Sequence, residues 1–320
     1  MKAAVINAFG EIPQCVNFPD PTPSEGETLV TVKATVLENF DKLTAGGKHY
    51  SSKSLFPQFP AIVGNDGIGM TEDGRMVGFG NIKPPYGSFA EKAAAGYIVP
   101  IPDGIDPAKA AAIPASVLTS LLPLKYAAKL QQGETVLING ATGVSGRIAV
   151  QVAKMLGAGK VVATGRNEAS LDLVVKLGAD EVINLQQPDD QLAAAFNAAA
   201  GEKGYDVVVD FLWGHPAEVL INIFTPTEAG FAKRRIRYLQ IGEKAGSHIS
   251  LHGSALRTSG LELIGIGKIS HEVLFEEMGH VWEWVKQDKF YMNIECIALA
   301  DIATAWQRDD LAGKRLVVVP

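Results

Sequence analysis

The sequence predicts an α/β protein with two parts, a twisted β domain and a doubly wound parallel sheet. Short strand-like segments joined by Gly- and Pro-rich turns occupy residues 2–100 and favour a compact β domain. From residue 135, strand-like and helix-like segments alternate, which is typical of a parallel sheet covered by helices. A last strand-like run at residues 315–319 suits the β domain. The sheet domain is therefore predicted to be inserted into the β domain.

Length and composition are those of a globular protein that does not bind nucleic acid. The 320 residues suffice for about two domains, and 47% of them are hydrophobic. The net charge of −6 argues against nucleic acid or an anionic membrane as a partner, and no apolar stretch looks long enough to span a membrane. The first residues contain no long apolar h-region, and Cys15 and Cys296 make no disulfide framework. We therefore expect a cytoplasmic protein.

The most informative stretch covers residues 135–167. An apolar, β-branched run at 135–139 predicts a strand buried on both faces. Gly140, Gly143 and Gly146 follow it through a turn, and an amphipathic helix and a second strand come next. A pyrophosphate requires backbone N–H groups and no Cβ in its way, and the helix N-terminus adds partial positive charge. This arrangement predicts dinucleotide binding; a structural turn without a ligand is the alternative.

The residue that follows the second strand indicates which dinucleotide binds. A site that prefers NAD usually carries Asp or Glu here to hold the ribose hydroxyls. This sequence has Gly165-Arg166-Asn167 instead. A guanidinium pairs with a 2′-phosphate, which a carboxylate would repel. We therefore predict NADPH as the cofactor, with a solvated surface arginine as the alternative interpretation of Arg166.

The rest of the sequence predicts the remaining helices and strands. The stretch 106–130 predicts a helix broken at Pro114 and Pro123, and Asp301 and Gly313 are expected to begin and end the last helix. In the sheet domain, helices are predicted at 168–177 and 191–200, and strands at 181–185, 205–211, 236–241 and 261–266.

Six segments together carry a resemblance to a known superfamily. They are Asn39-Phe40-Asp41, the glycine-rich stretch at 64–69, Tyr86-Gly87-Ser88-Phe89-Ala90-Glu91, the glycine turn at 140–146, Leu177-Gly178-Ala179-Asp180, and the closing segment at 313–318. With these segments, the chain resembles the medium-chain dehydrogenase/reductase superfamily over nearly its full length. Within that superfamily it is similar to the zinc-independent quinone oxidoreductase-like branch.

The resemblance implies an architecture and an activity. A GroES-like twisted β domain would comprise residues 1–122 and 269–320, a Rossmann domain would comprise residues 123–268, and a cleft would lie between them. The branch is also expected to form homodimers. Its members use NADPH to reduce quinones or α,β-unsaturated carbonyls, so the expected partner is a small electrophilic substrate.

The sequence predicts that no zinc is bound. The zinc-dependent members carry a Cys near the position of Glu38-Asn39, a His in the glycine-rich strand and a four-cysteine loop after it. Here that strand reads Gly64-Asn65-Asp66, the loop has no cysteine, and the six histidines are interpreted as surface or capping residues. Without a Lewis acid, hydride addition to a conjugated carbonyl or quinone remains feasible if the developing oxyanion has a hydrogen-bond donor.

The catalytic candidates lie in the β domain. Asn39 is the first candidate for donating to the carbonyl or orienting it, and a turn-capping Asn is the alternative. Asp41 is interpreted as a cap or an orienting partner. Tyr50 and Tyr86 are candidates for lining the cleft and relaying a proton, or else are half-buried aromatics with solvated hydroxyls.

The cofactor residues carried over from the resemblance lie at the expected ends of the parallel strands. They are Thr142, Gly143, Val144, Ser145, Gly165, Arg166 and Asn167, and more loosely Gly242 and Gly267. Relatives often place a Tyr after the third strand to stack on adenine. This chain has Ile183-Asn184-Leu185 there, so adenine stacking is in doubt.

Two other functions stay open. Reduction of an enoyl thioester would require a basic patch for the phosphopantetheine arm, and the one candidate is the cluster at 233–237, for which a solvated loop is the alternative. An NADPH-binding sensor or structural protein would keep the nucleotide residues with little turnover. A short-chain reductase is excluded because Tyr126-Ala127-Ala128-Lys129 lacks the Tyr-x-x-x-Lys spacing and the glycine turn comes too late.

Overall fold

The computed structural model describes residues 1–225, 231, 234–265, 267 and 269–320. The chain divides into two compact units. The β unit comprises residues 1–115 and 280–320, and the sheet unit comprises residues 116–279. The boundaries predicted from the sequence, after residues 122 and 268, remain a prediction.

Fifteen strands are found among the described residues. They are β1 Lys2–Ile6, β2 Gln14–Asn17, β3 Thr28–Leu37, β4 Ala61–Ile62, β5 Gly67–Thr71, β6 Met76–Ile82, β7 Lys92–Pro100, β8 Thr135–Asn139, β9 Lys160–Gly165, β10 Glu181–Asn184, β11 Val207–Asp210, β12 Ile236–Gln240, β13 Leu261–Ile264, β14 Asn293–Ala298 and β15 Lys314–Val319.

Ten α-helices accompany the strands in the same part of the chain. They are α1 Asn39–Ala45, α2 Ser52–Leu55, α3 Pro107–Leu122, α4 Val144–Met155, α5 Glu168–Lys176, α6 Asp189–Ala200, α7 Gly214–Phe224, α8 Gly253–Thr258, α9 His271–Lys286 and α10 Ile302–Trp306. A π-helical turn, Pro123–Ala127, follows α3, and a 3-10 turn, Leu299–Asp301, precedes α10.

The β unit is built from two sheets. Six strands follow the order β14-β15-β3-β5-β6-β7, and a further pairing of β3 with β7 closes part of this sheet on itself. A second sheet has the order β2-β1-β4. The late strand β15 pairs antiparallel with β3, so that Leu316 faces Leu37. The predicted return of residues 315–319 to the β domain is confirmed.

Alternation along β3 explains why it forms the centre of this unit. Val30, Val32 and Ala34 are buried, while Leu29 before them and Thr31 between the first two are exposed. Val30 and Val32 pack in a core with side chains of β6 and β7. Period-two burial is the pattern of a strand with one face on a core, so local sequence and packing agree.

The sheet unit has the predicted doubly wound fold. Its six strands follow the order β10-β9-β8-β11-β12-β13, and every neighbouring pair is parallel. Strand β8 is buried along its whole length, as a strand covered by helices on both faces must be. Ile148, Val152 and Ala153 form the buried face of α4. The predicted α/β fold class is confirmed.

Two helix predictions were wrong in detail. Helix α3 continues through Pro114 instead of ending there, and only Pro123 changes the helix, which becomes π-helical from that residue. Pro114 removes one backbone hydrogen bond, but Ile113 and Val117 around it are buried, and their packing offsets the loss.

The last helix is shorter than predicted. Asp301 occupies its N-cap position, but α10 ends at Trp306. Arg308 binds Asp310 in the following segment and Glu295 on β14, which holds the segment as a turn. Gly313 instead precedes β15 with a φ of 73°, a conformation that favours glycine.

One segment of the described residues contradicts the expectation about apolar length. The helical stretch Pro107–Ala127 is long and apolar enough to cross a membrane by length and composition. However, 67% of its most apolar window is buried inside the protein. Such burial is what a core helix shows.

Candidate functional site

The carboxyl ends of the parallel strands bring the predicted cofactor residues to one edge of the sheet unit, which we call the carboxyl edge. The glycine turn follows β8 directly, and Gly165 is the last residue of β9. Gly242 follows the end of β12, and Gly267 follows β13. Parallel sheets bind ligands at this edge, next to the strand where the order of connection reverses.

A different physical reason favours glycine at each of the three positions of the turn. Gly140 has a φ of 88°, which favours glycine. A Cβ on Gly146 would lie 2.3 Å from the carbonyl oxygen of Gly140 and 2.6 Å from Cα of Ala141, so α4 could not pack so closely on the turn. A Cβ on Gly143 would meet only the Gly140 oxygen, at 3.9 Å. Gly143 thus leaves open space where a ligand would approach.

The N-terminus of α4 is uncapped. Its N-cap residue is Gly143, and no side chain caps the helix. The first turn of a helix leaves backbone N–H groups without intrahelical partners and carries partial positive charge. Twelve helical residues follow, so the helix dipole is fully developed. The predicted residues Val144 and Ser145 supply this first turn, which is suited to a phosphate.

Thr142 and Gly165 belong to neighbouring strand ends and lie in contact. A Cβ on Gly165 would come within 2.3 Å of Cγ2 of Thr142. The missing side chain at Gly165 therefore lets the glycine turn pack against the end of β9. These two predicted residues are brought together by the fold.

Arg166 and Asn167 follow β9 at the same edge. Arg166 is exposed, and among the described residues it forms no hydrogen bond or ion pair. Asn167 is the N-cap of α5, because its Oδ1 accepts a hydrogen bond from the backbone N–H of Ser170 at 2.9 Å. The side chain of Asn167 therefore caps a helix, and the guanidinium of Arg166 remains available to a ligand.

A buried polar network that the sequence analysis missed supports the glycine turn. The backbone N–H of Gly140 donates to Oγ1 of Thr164 at 2.9 Å, and that hydroxyl donates to Oδ1 of Asn139 at 2.8 Å. The amide of Asn139 donates to Asp210 at 2.9 Å, and the hydroxyl of Tyr238 donates to the same carboxylate at 2.6 Å. All four side chains are fully buried. The network joins the carboxyl ends of β8, β9, β11 and β12.

Asp210 is the centre of this network. Burial raises the pKa of its carboxyl group, although the hydrogen bonds from Tyr238, Asn139 and two backbone N–H groups act in the opposite direction. The two backbone donors are those of Leu212 and Trp213, at 2.8 and 3.1 Å. The signal available in the sequence was a polar residue at the last position of an apolar strand, which recurs in Asn139 and Asp210.

The catalytic candidate Asn39 begins α1 in the β unit. It is exposed, and its side chain forms no hydrogen bond within the described part of the chain. Two residues later, Asp41 is buried and accepts a hydrogen bond from the backbone N–H of Glu38 at 2.8 Å. Asp41 therefore caps the first turn of α1, which is one of the two roles considered for it.

Charged groups from three segments meet around that first turn. Arg315 on β15 donates to Glu38 at 2.7 Å, and Asn65 donates to Asp41 at 3.4 Å. Burial raises the pKa of Asp41 to about 8, and the carboxylates of Glu38 and Asp66 add to this shift. Burial therefore favours the neutral form of the Asp41 carboxyl group over the ionised form.

The two candidate tyrosines lie in different surroundings. Tyr50 is 94% exposed, and its ring lies 4.0 Å from the ring of His49. Tyr86 donates to the backbone oxygen of Asp20 at 3.3 Å and packs edge-on against Phe18. Phe40, the residue after Asn39, contacts His49 with its ring, and His49 in turn contacts Tyr50. Within the described residues, no hydrogen bond or ring contact joins Tyr86 to Asn39, Phe40, His49 or Tyr50.

The basic cluster at 233–237 lies mostly within the described residues, with Lys233 outside them. Arg235 forms an ion pair with Glu262. Arg237 binds Glu134 at 2.6 Å and the backbone oxygen of Ala128 at 2.7 Å. Both arginines lie at or before the start of β12, at the opposite end of the strand from the carboxyl edge. These two arginines are engaged within the fold, and Arg234, the third described arginine of the cluster, is exposed.

The side chains that could bind a metal are dispersed in the described residues. No group of three or more His, Cys, Asp or Glu side chains there has the geometry to hold a metal ion. Cys15 and Cys296 are free thiols that line one cavity of about 690 Å³ in the β unit. None of the predicted site residues lines that cavity.

Comparisons with known proteins agree with this geometry. A family model described as a zinc-binding dehydrogenase matches residues 145–227, a stretch that starts in α4 and does not include Glu38 or Asn65. A crystal structure of the quinone oxidoreductase from Thermus thermophilus and its complex with NADPH superimposes with a TM-score of 0.75. That chain is 27% identical, and the match covers 100% of both chains.

The chain belongs to the medium-chain dehydrogenase/reductase superfamily, in its quinone oxidoreductase-like branch. A protein of Emericella nidulans named as a probable NADPH-dependent quinone reductase is 26% identical and aligns over 100% of both chains. The quinone oxidoreductase of Sus scrofa is 29% identical over 60% of this chain and 59% of its own length. The predicted superfamily and branch are confirmed.

Two of the three glycines of the turn, Gly143 and Gly146, provide a test of the packing described above. Gly146→Ala places a Cβ against backbone atoms that cannot rotate away, so we expect a loss of about 3 kcal/mol in the free energy of unfolding. The Cβ of Gly143→Ala would lie in open space, so we expect the free energy of unfolding to fall by about 1 kcal/mol at most, through weaker N-capping. Urea unfolding measures both variants. Equal losses would contradict the packing.

The buried carboxyl of Asp41 predicts a pH dependence of stability. Because the pKa is raised from 3.8 to about 8, the folded state holds a proton that the unfolded state releases, and the free energy of unfolding falls as pH rises through this window. Asp41→Asn removes this loss, so its stability relative to the wild type should rise by about 1 kcal/mol or more between pH 5 and pH 8.

Asp73→Asn is the control for that measurement. Hydrogen bonds from Thr71 and Arg75 lower the pKa of Asp73, which is half exposed, so Asp73 is ionised in both the folded and the unfolded state above pH 5, and the stability of this variant relative to the wild type should stay constant between pH 5 and pH 8. Parallel pH profiles for wild type and Asp41→Asn in urea unfolding would show that Asp41 is ionised in the folded protein.

Proposed function

We propose that the chain is an NADPH-dependent oxidoreductase that transfers hydride to a quinone or an α,β-unsaturated carbonyl without zinc. The observation that carries the proposal is the carboxyl edge of the sheet unit. There the uncapped N-terminus of α4 follows a glycine turn with open space at Gly143. A free guanidinium, Arg166, follows the neighbouring strand. Phosphate groups at two positions of one dinucleotide match these two features.

The relatives support the enzyme class and the cofactor. The fungal relative is named for NADPH-dependent quinone reduction, and the Thermus structure was solved with NADPH. Both agree with the prediction of an oxidoreductase that uses NADPH. The residues of this chain that would hold the cofactor are those at the carboxyl edge, with Arg166 at the 2′-phosphate and the first turn of α4 at the pyrophosphate.

The β unit supplies groups for the substrate. NADPH supplies the hydride, and the carbonyl oxygen of the substrate gains negative charge as the hydride adds. A hydrogen-bond donor at that oxygen lowers the barrier. The amide of Asn39 is exposed and has no partner among the described residues, so it is available for this role. Asp41 and Arg315 act behind it, because they fix the start of α1.

Zinc independence is part of the proposal. The two positions where zinc-dependent relatives carry thiolate and imidazole ligands hold Glu38 and Asn65 here. Glu38 is already paired with Arg315 at 2.7 Å, and Asn65 offers an amide, which is a poor zinc ligand. Activity that requires stoichiometric zinc, found by metal analysis and chelation, would contradict this part.

An enoyl-thioester reductase is the second candidate. It calls for a basic patch, and within the one candidate cluster Arg235 and Arg237 are paired with Glu262 and Glu134, while Arg234 is exposed and forms no ion pair with a described residue. An NADPH-binding sensor with little turnover is separated from an enzyme by the turnover measurement below. We further propose that the protein is a homodimer of the cytoplasm, which light scattering during gel filtration tests for the oligomeric state.

The cofactor assignment predicts the effect of one substitution. Arg166→Ala removes a charge-assisted contact with the 2′-phosphate, so NADPH binding should weaken by about 1.5–3 kcal/mol while NADH binding changes little. Isothermal titration calorimetry measures both affinities. Arg235→Ala, which removes another exposed arginine of the sheet unit, is the matched control and should leave both affinities unchanged. An unchanged NADPH affinity in Arg166→Ala would refute the assignment.

The substrate assignment predicts a pattern of turnover. NADPH consumption with a panel of quinones, alkenals and enoyl-CoA thioesters should be fastest with the quinones or alkenals. No consumption with any of them, combined with tight NADPH binding, would favour the sensor. Faster consumption with enoyl-CoA would favour the thioester reductase.

A further inference from the structure

Three aromatic rings near Asn39 form an exposed group, which we call the aromatic array: Phe40, His49 and Tyr50. The ring of His49 meets the ring of Phe40 edge-on, with centroids 5.0 Å apart. The ring of Tyr50 lies at 4.0 Å from His49, tilted by 35°. Tyr50 is 94% exposed and Phe40 38%. The array thus offers flat apolar surface to the outside of the β unit.

Hydrogen bonds within the loop hold the array in place. The backbone N–H of Lys48 donates to Leu43 at 2.9 Å, and that of Ser52 donates to the backbone oxygen of His49 at 3.0 Å. The backbone N–H of His49 donates to the hydroxyl of Ser52 at 3.2 Å. The exposed rings therefore stand on a fixed loop, and their exposure does not result from a loose chain.

The imidazole of His49 has a defined tautomer. Its Nδ1 accepts a hydrogen bond from the backbone N–H of Ser51 at 3.2 Å, so Nδ1 carries no proton. A neutral imidazole then carries its proton on Nε2, which is a hydrogen-bond donor. No hydrogen bond from Nε2 to a described residue is found. The array therefore combines flat ring surface with a free donor.

The array is continuous with the proposed substrate groups. Phe40 follows Asn39 directly in the first turn of α1, and the cap formed by Asp41 fixes the direction of that turn. A second donor, the amide of Asn39, thus lies on the same helix start as the ring that contacts His49. Ring surface and two neutral donors suit a flat molecule with carbonyl groups.

Resting on the proposed function, we propose that the aromatic array selects ring-shaped quinones and that His49 is a catalytic residue whose Nε2–H donates to a quinone carbonyl. Aromatic rings stack favourably on flat rings, and an aliphatic alkenal offers no ring to stack. As hydride adds, the quinone gains two electrons and the carbonyl oxygen gains negative charge, which Nε2–H stabilises. A proton from water then completes the hydroquinone, so His49 donates a hydrogen bond and keeps its proton.

Two substitutions at His49 test the donor. His49→Phe keeps a flat ring and removes Nε2–H, and we expect kcat/KM for a quinone to fall about 10- to 100-fold. His49→Gln restores an N–H donor without the ring and should recover part of kcat. The test quinone is tetramethyl-1,4-benzoquinone, because its fully substituted ring cannot add the thiols of Cys15 and Cys296. Thermal melts of each variant check that it is folded.

Substitution of Tyr50 tests the ring surface. Tyr50→Ala removes the exposed ring and should raise KM for the quinone about 10-fold while the KM for an aliphatic alkenal changes little. Tyr50→Phe removes only the hydroxyl, and its KM should rise less than that of Tyr50→Ala. The control is His280→Phe, since His280 also stacks on an aromatic ring in the β unit, that of Trp284, at 6.1 Å.

Binding without turnover gives an independent measurement. With NADP⁺ present there is no hydride to transfer, and titration with the quinone should shift the imidazole proton signals of His49 in NMR spectra and leave those of His280 in place. A wild type that reduces no quinone would contradict the proposed function. A wild type that reduces the quinone, together with a His49→Phe variant of equal kcat/KM or an unshifted His49 signal, would contradict the role of His49 alone.

Discussion

A buried chain of hydrogen bonds across four parallel strands holds the carboxyl edge in the shape that a nucleotide requires. Asp210 accepts from Asn139 and Tyr238, and Asn139 accepts from Thr164, whose hydroxyl in turn holds the backbone of Gly140. A buried carboxylate without these donors would be costly, so the network fixes one arrangement of the strand ends. The open N-terminus of α4 depends on that arrangement.

In the β unit, a charged pair and a buried carboxyl group fix the start of helix α1. Arg315 lies on β15, the last strand of the chain, and pairs with Glu38. The buried carboxyl group of Asp41 caps the helix that begins with Asn39. The C-terminal strand thereby fixes the exposed amide proposed to meet the substrate. In both units, buried or paired residues behind the proposed binding groups fix the positions of those groups.

The sequence predicted the features that depend on local pattern. The buried run of β8 and the spacing from Gly140 to Gly146 were enough for the sheet, the turn and the helix, because each has a short-range physical cause. Side-chain contacts within irregular loops were not predictable. The contacts of the His49 ring with Phe40 and Tyr50 follow from a loop whose hydrogen bonds carry no sequence signature. Helix α3 continues through Pro114 because the residues around it are buried, and helix propensity alone does not predict burial.

The central claim is that one dinucleotide bridges the first turn of α4 and Arg166. A crystal structure with NADP⁺ bound tests it most directly. The account predicts the pyrophosphate within hydrogen-bond distance of the backbone N–H groups that follow Gly143, and the 2′-phosphate paired with the guanidinium of Arg166. A cofactor whose phosphates lie away from the carboxyl edge, or whose 2′-phosphate is held by other residues, would contradict it.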